Sequence, residues 1–161
     1  QRSLNKLEAK EPVEKSESLS AEDELRKLAV ELRLLEGTAE SFQSRLNLLN
    51  AAWAELNIAR QTLEGLEKEQ PEVPIFVPVG GGSYAKAKIT DVNNVIYGVG
   101  AGVAIEKTIK EAKEGIEKRL SDIEKSRQSL EQQLSQVLRR IQEDQDRFQD
   151  LSASLRRHER S

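Results

Sequence analysis

The chain has 161 residues, of which 33% are charged, 37% hydrophobic and only 4% aromatic, with a formal net charge of −3. So little aromatic bulk falls short of what a compact globule uses to fill its core, whereas high charge among helix formers suits long, solvent-washed helices. There is no cysteine and a single histidine, His158, which leaves no basis for disulfide, thiol, zinc or haem chemistry, and the slightly acidic balance argues against a dedicated nucleic-acid binder. No apolar run approaches the roughly 20 residues of a membrane span. The expectation is a soluble, cytoplasmic protein with no cofactor, no nucleic-acid partner and no membrane partner.

Residues 1–19 carry scattered Glu, Lys and Ser with a proline at Pro12, and read as a flexible tail. A helix start is predicted at Ser20, because a capping hydroxyl is followed three residues later by the acid Asp23. Over residues 20–70 the apolar positions fall into heptads. Leu25, Leu32, Ala39, Leu46, Trp53 and Arg60 occupy position a, and Leu28, Leu35, Phe42, Leu49, Leu56 and Leu63 occupy position d. Only Arg60 among them is polar. A stripe at 3.5-residue spacing that long keeps facing one partner helix, which is what a coiled coil requires.

Residues 71–105 hold six of the nine glycines and three of the four prolines, so the chain turns several times in a short space. Ile75 to Val79 and Tyr84 to Ile89 read as strands about the turn Gly80-Gly81-Gly82. Val95 to Val99 and Val103 to Ile105 read as strands about Gly100-Ala101-Gly102. Two successive hairpins are expected, apolar on both faces. Four short strands cannot bury that much by themselves: either the long helices cover one face or, the preferred reading, strands from other chains close them into a barrel.

A second coiled-coil helix is predicted over 106–158, with 159–161 as a tail. Its stripe is Ile109, Ile116, Leu120, Ile123, Leu130, Leu134, Val137, Ile141, Phe148, Leu151 and Leu155, interrupted by Lys113, Arg127 and Asp144. Polar residues at such positions fix register at a cost in stability. Two helices of similar length joined by a compact insert fold back most simply as an antiparallel pair. The predicted class is therefore mainly α with a small β part: an antiparallel two-helix coiled coil joined by two β-hairpins that form part of an oligomeric β-barrel.

Chemistry is not written into this pattern. Gly98-Val99-Gly100-Ala101-Gly102-Val103 has the look of a dinucleotide-binding loop, but its third glycine is replaced by Val103 and no βαβ unit surrounds it. The acidic and basic residues of the helices read as a solvated face rather than acid–base sets. No catalytic, cofactor-binding or metal-binding residue is assigned. A two-helix coil does leave its stripe half covered: Leu19, Leu25, Leu28, Leu32, Phe148, Leu151 and Leu155 either simply close the end of the coil or, where the free ends splay, are candidates for binding apolar segments of other proteins.

The order helix, two hairpins, helix, with Val79-Gly80-Gly81-Gly82-Ser83-Tyr84-Ala85-Lys86-Ala87-Lys88-Ile89 and then Gly98-Val99-Gly100-Ala101-Gly102-Val103-Ala104-Ile105-Glu106-Lys107, resembles the α-type subunits of archaeal prefoldins over roughly residues 22–155. The resemblance implies an ATP-independent chaperone subunit in a hetero-hexamer of two α and four β subunits. In it the hairpins form a double barrel, the coiled coils hold unfolded client proteins at their tips, and clients pass to a group II chaperonin. It implies assembly contacts at Val77, Val79, Ile89, Ile96, Val99 and Val103, and client contacts at the tip residues named above. The competing reading is a structural coiled-coil spacer that positions fixed partners and holds no clients.

Overall fold

The structure, a computed structural model, describes residues 11–161. Its elements in order are α1 (Glu11–Glu67), β1 (Val73–Gly80), β2 (Ser83–Ile89), β3 (Asn94–Gly100), β4 (Val103–Thr108) and α2 (Ile109–Arg160). This is the expected class, two long helices with two antiparallel hairpins between them. The chain divides into two compact units, one of Gln1–Leu46 with Ser129–Ser161 and the other of Asn47–Gln128.

The first unit is a helix pair held by its seam and by ions. Leu28, Leu46, Ile141 and Leu151 are its buried apolar residues, all from the predicted stripe. Arg147 donates to both carboxylate oxygens of Glu24, at 2.8 and 3.1 Å, and Arg140 donates to Glu31 at 2.8 Å. The two pairs lie one heptad apart on each helix, so together they hold a single antiparallel register. The helix begins earlier than expected, at Glu11 rather than Ser20. Position 12, a proline, falls in the first turn, where backbone N–H groups have no intrahelical acceptor and a missing one costs little. The remainder of the predicted tail, residues 1–10, lies outside the described residues.

In the second unit α1 ends at Glu67, and the chain turns through Lys68 and Glu69, whose N–H groups donate to Gly65 and Leu66 carbonyls. Each hairpin is its own two-stranded sheet. β1 pairs with β2 from Val73 opposite Ile89 to Gly80 opposite Ser83, and β3 with β4 from Asn94 opposite Thr108 to Gly100 opposite Val103. Both two-residue turns place their central residues at positive φ: Gly81 and Gly82 in one, Ala101 and Gly102 in the other. That geometry matches the twist of the flanking strands. The fourth strand runs on to Thr108, past the expected end at Ile105, because Glu106 and Lys107 pair with Ile96 and Val95. Thr108 then caps α2, its Oγ1 accepting from the Glu111 N–H at 3.1 Å. With Thr108 as its N-cap, the helix starts at Ile109 and not at Glu106. Ile109, Ala112, Ile116 and Leu120 on α2 are the buried residues of this unit.

Ala101 is the one hairpin residue with a Cβ in the left-handed region, at φ 51°. Asn tolerates that conformation better than Ala. Ala101→Asn should therefore stabilise the chain by roughly 0.5–1 kcal/mol in thermal denaturation, and a lower melting temperature would contradict the turn geometry.

Candidate functional site

The hairpins present apolar side chains that their own unit does not cover. Ile96 is 73% exposed and Val79 64%, with Val77, Val99 and Val103 also exposed, while Ile89 is half-buried. The six strand residues expected at an assembly surface thus divide by position. Ile89 lies at the helix-proximal end of its hairpin, opposite Val73, and the others stand in or open to solvent. Phe76 and Tyr84 meet edge-on at 6.5 Å on the outer part of the first hairpin. The glycine-rich run at 98–102 is the end of β3 and its turn, not a strand-to-helix loop.

In the helix pair of the first unit the seven tip candidates are not equivalent. Leu28 and Leu151 are buried in the seam, and Leu25, Leu32, Phe148 and Leu155 are half-buried. Leu19 is 62% exposed. Two further apolar residues, Val30 and Leu34, are 60% and 68% exposed beside Arg26, Lys27 and Glu31. They sit one helical turn apart on the outer side of α1, outside positions a and d. A search for seam residues alone passes over them, but reading the outer heptad positions for uncharged residues would have found them.

Asp144 interrupts the seam. It is 4% exposed, its Oδ2 has no hydrogen-bond partner, and Arg140 approaches its Oδ1 at 3.3 Å. Burial pushes its carboxyl above the ordinary aspartate value. Arg140 opposes that shift, and Glu31 adds to it, by repulsion between the two negative charges and because a protonated Asp144 can donate to the Glu31 carboxylate. The hydrogen bonds from Arg147 and Arg140 hold Glu24 and Glu31 below the usual carboxylate range. The arrangement is an ion-pair network around a poorly satisfied carboxylate, with no nucleophile or acid–base pair set against a cleft.

The model of the family described as prefoldin subunit matches residues 35–154. The chain belongs to the prefoldin family. It is 42% identical to prefoldin subunit alpha of Pyrococcus horikoshii over 121 residues, covering 74% of this chain and 82% of that one. Prefoldin subunit alpha of Methanopyrus kandleri is 35% identical, with 75% and 77% covered. Among solved structures, filamentous PFD from Methanocaldococcus jannaschii superposes with a TM-score of 0.62 at 24% identity, over 70% of this chain and 93% of that one, which shows the shared fold. Prefoldins are chaperones that act as oligomers, so this chain is a chaperone subunit. The match to the prefoldin model leaves the first turns of α1, with the Glu24–Arg147 pair and Val30 and Leu34, partly or wholly outside it. Among the described residues, no helix is long and apolar enough to cross a membrane.

The network makes a pH prediction with a definite sign. Glu24 and Glu31 contribute stability above the ordinary carboxylate range that is lost as pH falls through their depressed values. Asp144 acts in the opposite sense, destabilising the helix pair as pH rises through its raised value. Asp144→Asn should therefore increase heat stability at pH 7 by roughly 1 kcal/mol. The advantage should vanish as pH falls to 3.8, the ordinary aspartate value, and below. Melting curves across pH check this, and a less stable variant at pH 7 would mean that the Arg140 contact outweighs the burial.

Proposed function

We propose that this chain is the α subunit of a cytoplasmic hetero-hexamer, two α with four β-type subunits, that holds unfolded proteins without ATP and delivers them to a group II chaperonin. Family membership supports the chaperone role. The carrying observation is that the chain leaves apolar side chains in water both on the strands of its hairpins and on the outer faces of its helices, Leu19, Val30 and Leu34 in the first unit and Leu48 and Ile58 in the second among them. Strand edges with apolar faces suit pairing with other subunits, and apolar residues on a loosely covered helix pair suit weak contacts with many unfolded chains. The role assigned to Val77, Val79, Ile89, Ile96, Val99 and Val103 is assembly. The role assigned to Leu19, Leu25, Leu32, Phe148 and Leu155 is client contact as the helix ends open, with Leu28 and Leu151 reached only on wider opening. No bond-making chemistry is assigned to any residue.

Two measurements test this. A chemically unfolded protein diluted into buffer without nucleotide should scatter less light when the assembled complex is present at near-stoichiometric amounts. Leu19→Ser with Leu34→Ser should weaken that protection about tenfold while leaving helicity unchanged. An assembled complex that gives no protection would leave a scaffold in place of a chaperone. Val79→Asp and Val99→Asp should separately prevent complex formation, since each places a charge where a neighbouring strand would cover it. Native mass spectrometry reads that loss, and a full-size complex from either variant would remove these strands from the assembly surface.

A further inference from the structure

The glycine in the first turns of α2, Gly115, is anomalous. A glycine inside a helix costs about 1 kcal/mol relative to alanine, so an exposed helix gains nothing from one. At every other glycine a Cβ would meet open space, but at Gly115 it would stand 2.6 Å from Tyr97 Oη and 3.0 Å from Tyr97 Cζ. The tyrosine comes from β3, where it pairs with Ile105. Two cations approach its ring, Lys107 Nζ at 4.9 Å and the Arg119 guanidinium at 4.7 Å from the centroid. Arg119 is one helical turn beyond Gly115 and also donates to the Gly98 carbonyl at 2.7 Å, the residue after Tyr97. Ala112, the preceding residue on that helix face, is fully buried. Small residues at 112 and 115 thus let the strand approach the helix, and Arg119 fastens it at two points. A Cβ at Gly115 would therefore have to displace a phenol that makes cation–π contacts with Arg119 and Lys107, and the contacts that seat the strand on the helix would move with it.

We propose that the seating of Tyr97 on Gly115, fastened by Arg119 and Lys107, fixes the direction in which the β3–β4 hairpin leaves α2, and so determines which subunit can pair with its exposed strand residues. This rests on the assembly role proposed above. The device acts before assembly: the hairpin is aimed by its own helix, and Ile96, Val99 and Val103 reach a partner only when it is aimed correctly. Tyr97, Gly115 and Arg119 are positioning residues, distinct from the residues that touch the partner.

The test uses the intact chain mixed with a β-type prefoldin subunit. Gly115→Ala should keep or raise the melting temperature of the isolated subunit, through helix propensity. It should nevertheless weaken assembly about tenfold or more, read by native mass spectrometry over a dilution series. Gly37→Ala, a helix glycine with open space around it, should assemble like the wild type. Tyr97→Phe combined with Gly115→Ala removes the closest atom and should restore assembly to within about threefold of wild type. Normal assembly of Gly115→Ala, or failure of the phenylalanine to rescue it, would overturn the proposal while leaving the assembly role standing. Failure of the wild-type chain to assemble with the β-type subunit would overturn both.

Discussion

Two helices packed side by side have only one surface on which to hide apolar side chains, the narrow stripe each turns to the other. No third layer covers what lies beyond it. That limit governs each unit of this chain. In the first, the seam buries Leu28, Ile141 and Leu151 and leaves Leu19, Val30 and Leu34 in water. In the second, α2 buries Ile109, Ala112 and Ile116, and the hairpins must leave Ile96, Val79 and their neighbours uncovered. A chain built this way is stable enough to fold and incomplete enough to need other chains, which is the physical condition for a subunit that both assembles and holds apolar segments. Burial here is partial by construction, and the proposed function rests on that.

Ion pairs compensate for the thin seam in a limited way. Glu24–Arg147 and Glu31–Arg140 are exposed, so each adds little energy, but their spacing specifies one antiparallel register against the slips that a repetitive stripe allows. Asp144 adds a second constraint of the same sort. A carboxylate in an apolar seam is tolerated only where Arg140 can reach it, so any register that separates the two is penalised. Specificity of pairing and looseness of pairing thus coexist in one helix pair.

Most of this architecture was legible because its cause is periodic. Heptads from Leu25 to Leu63 and from Ile109 to Leu155 announce two seams, and clustered glycines announce two tight hairpins. What escaped was local or non-periodic. The start at Glu11 was masked by a proline that reads as a breaker unless it is placed in a first turn. The end of β4 was misplaced because Glu106 and Lys107 look helical in composition, although Thr108 and Glu111 carry the true helix start. Val30 and Leu34 lie outside positions a and d, so the heptad stripe does not mark them. Gly115 gave no sign of its role, since what occupies the space above it is Tyr97, from another element altogether. Contacts between elements distant in sequence leave no spacing to read.

If other subunits complete the exposed strands, hydrogen exchange at those strands must change on assembly. Backbone amides of β1 to β4 would be followed in the isolated chain and again after mixing with a β-type prefoldin subunit. Fast exchange is expected at the outer strand positions around Val79, Val99 and Val103 in the isolated chain, and strong protection of the same positions in the complex. Protection that is already complete in the isolated chain, or absent from the complex, would contradict it.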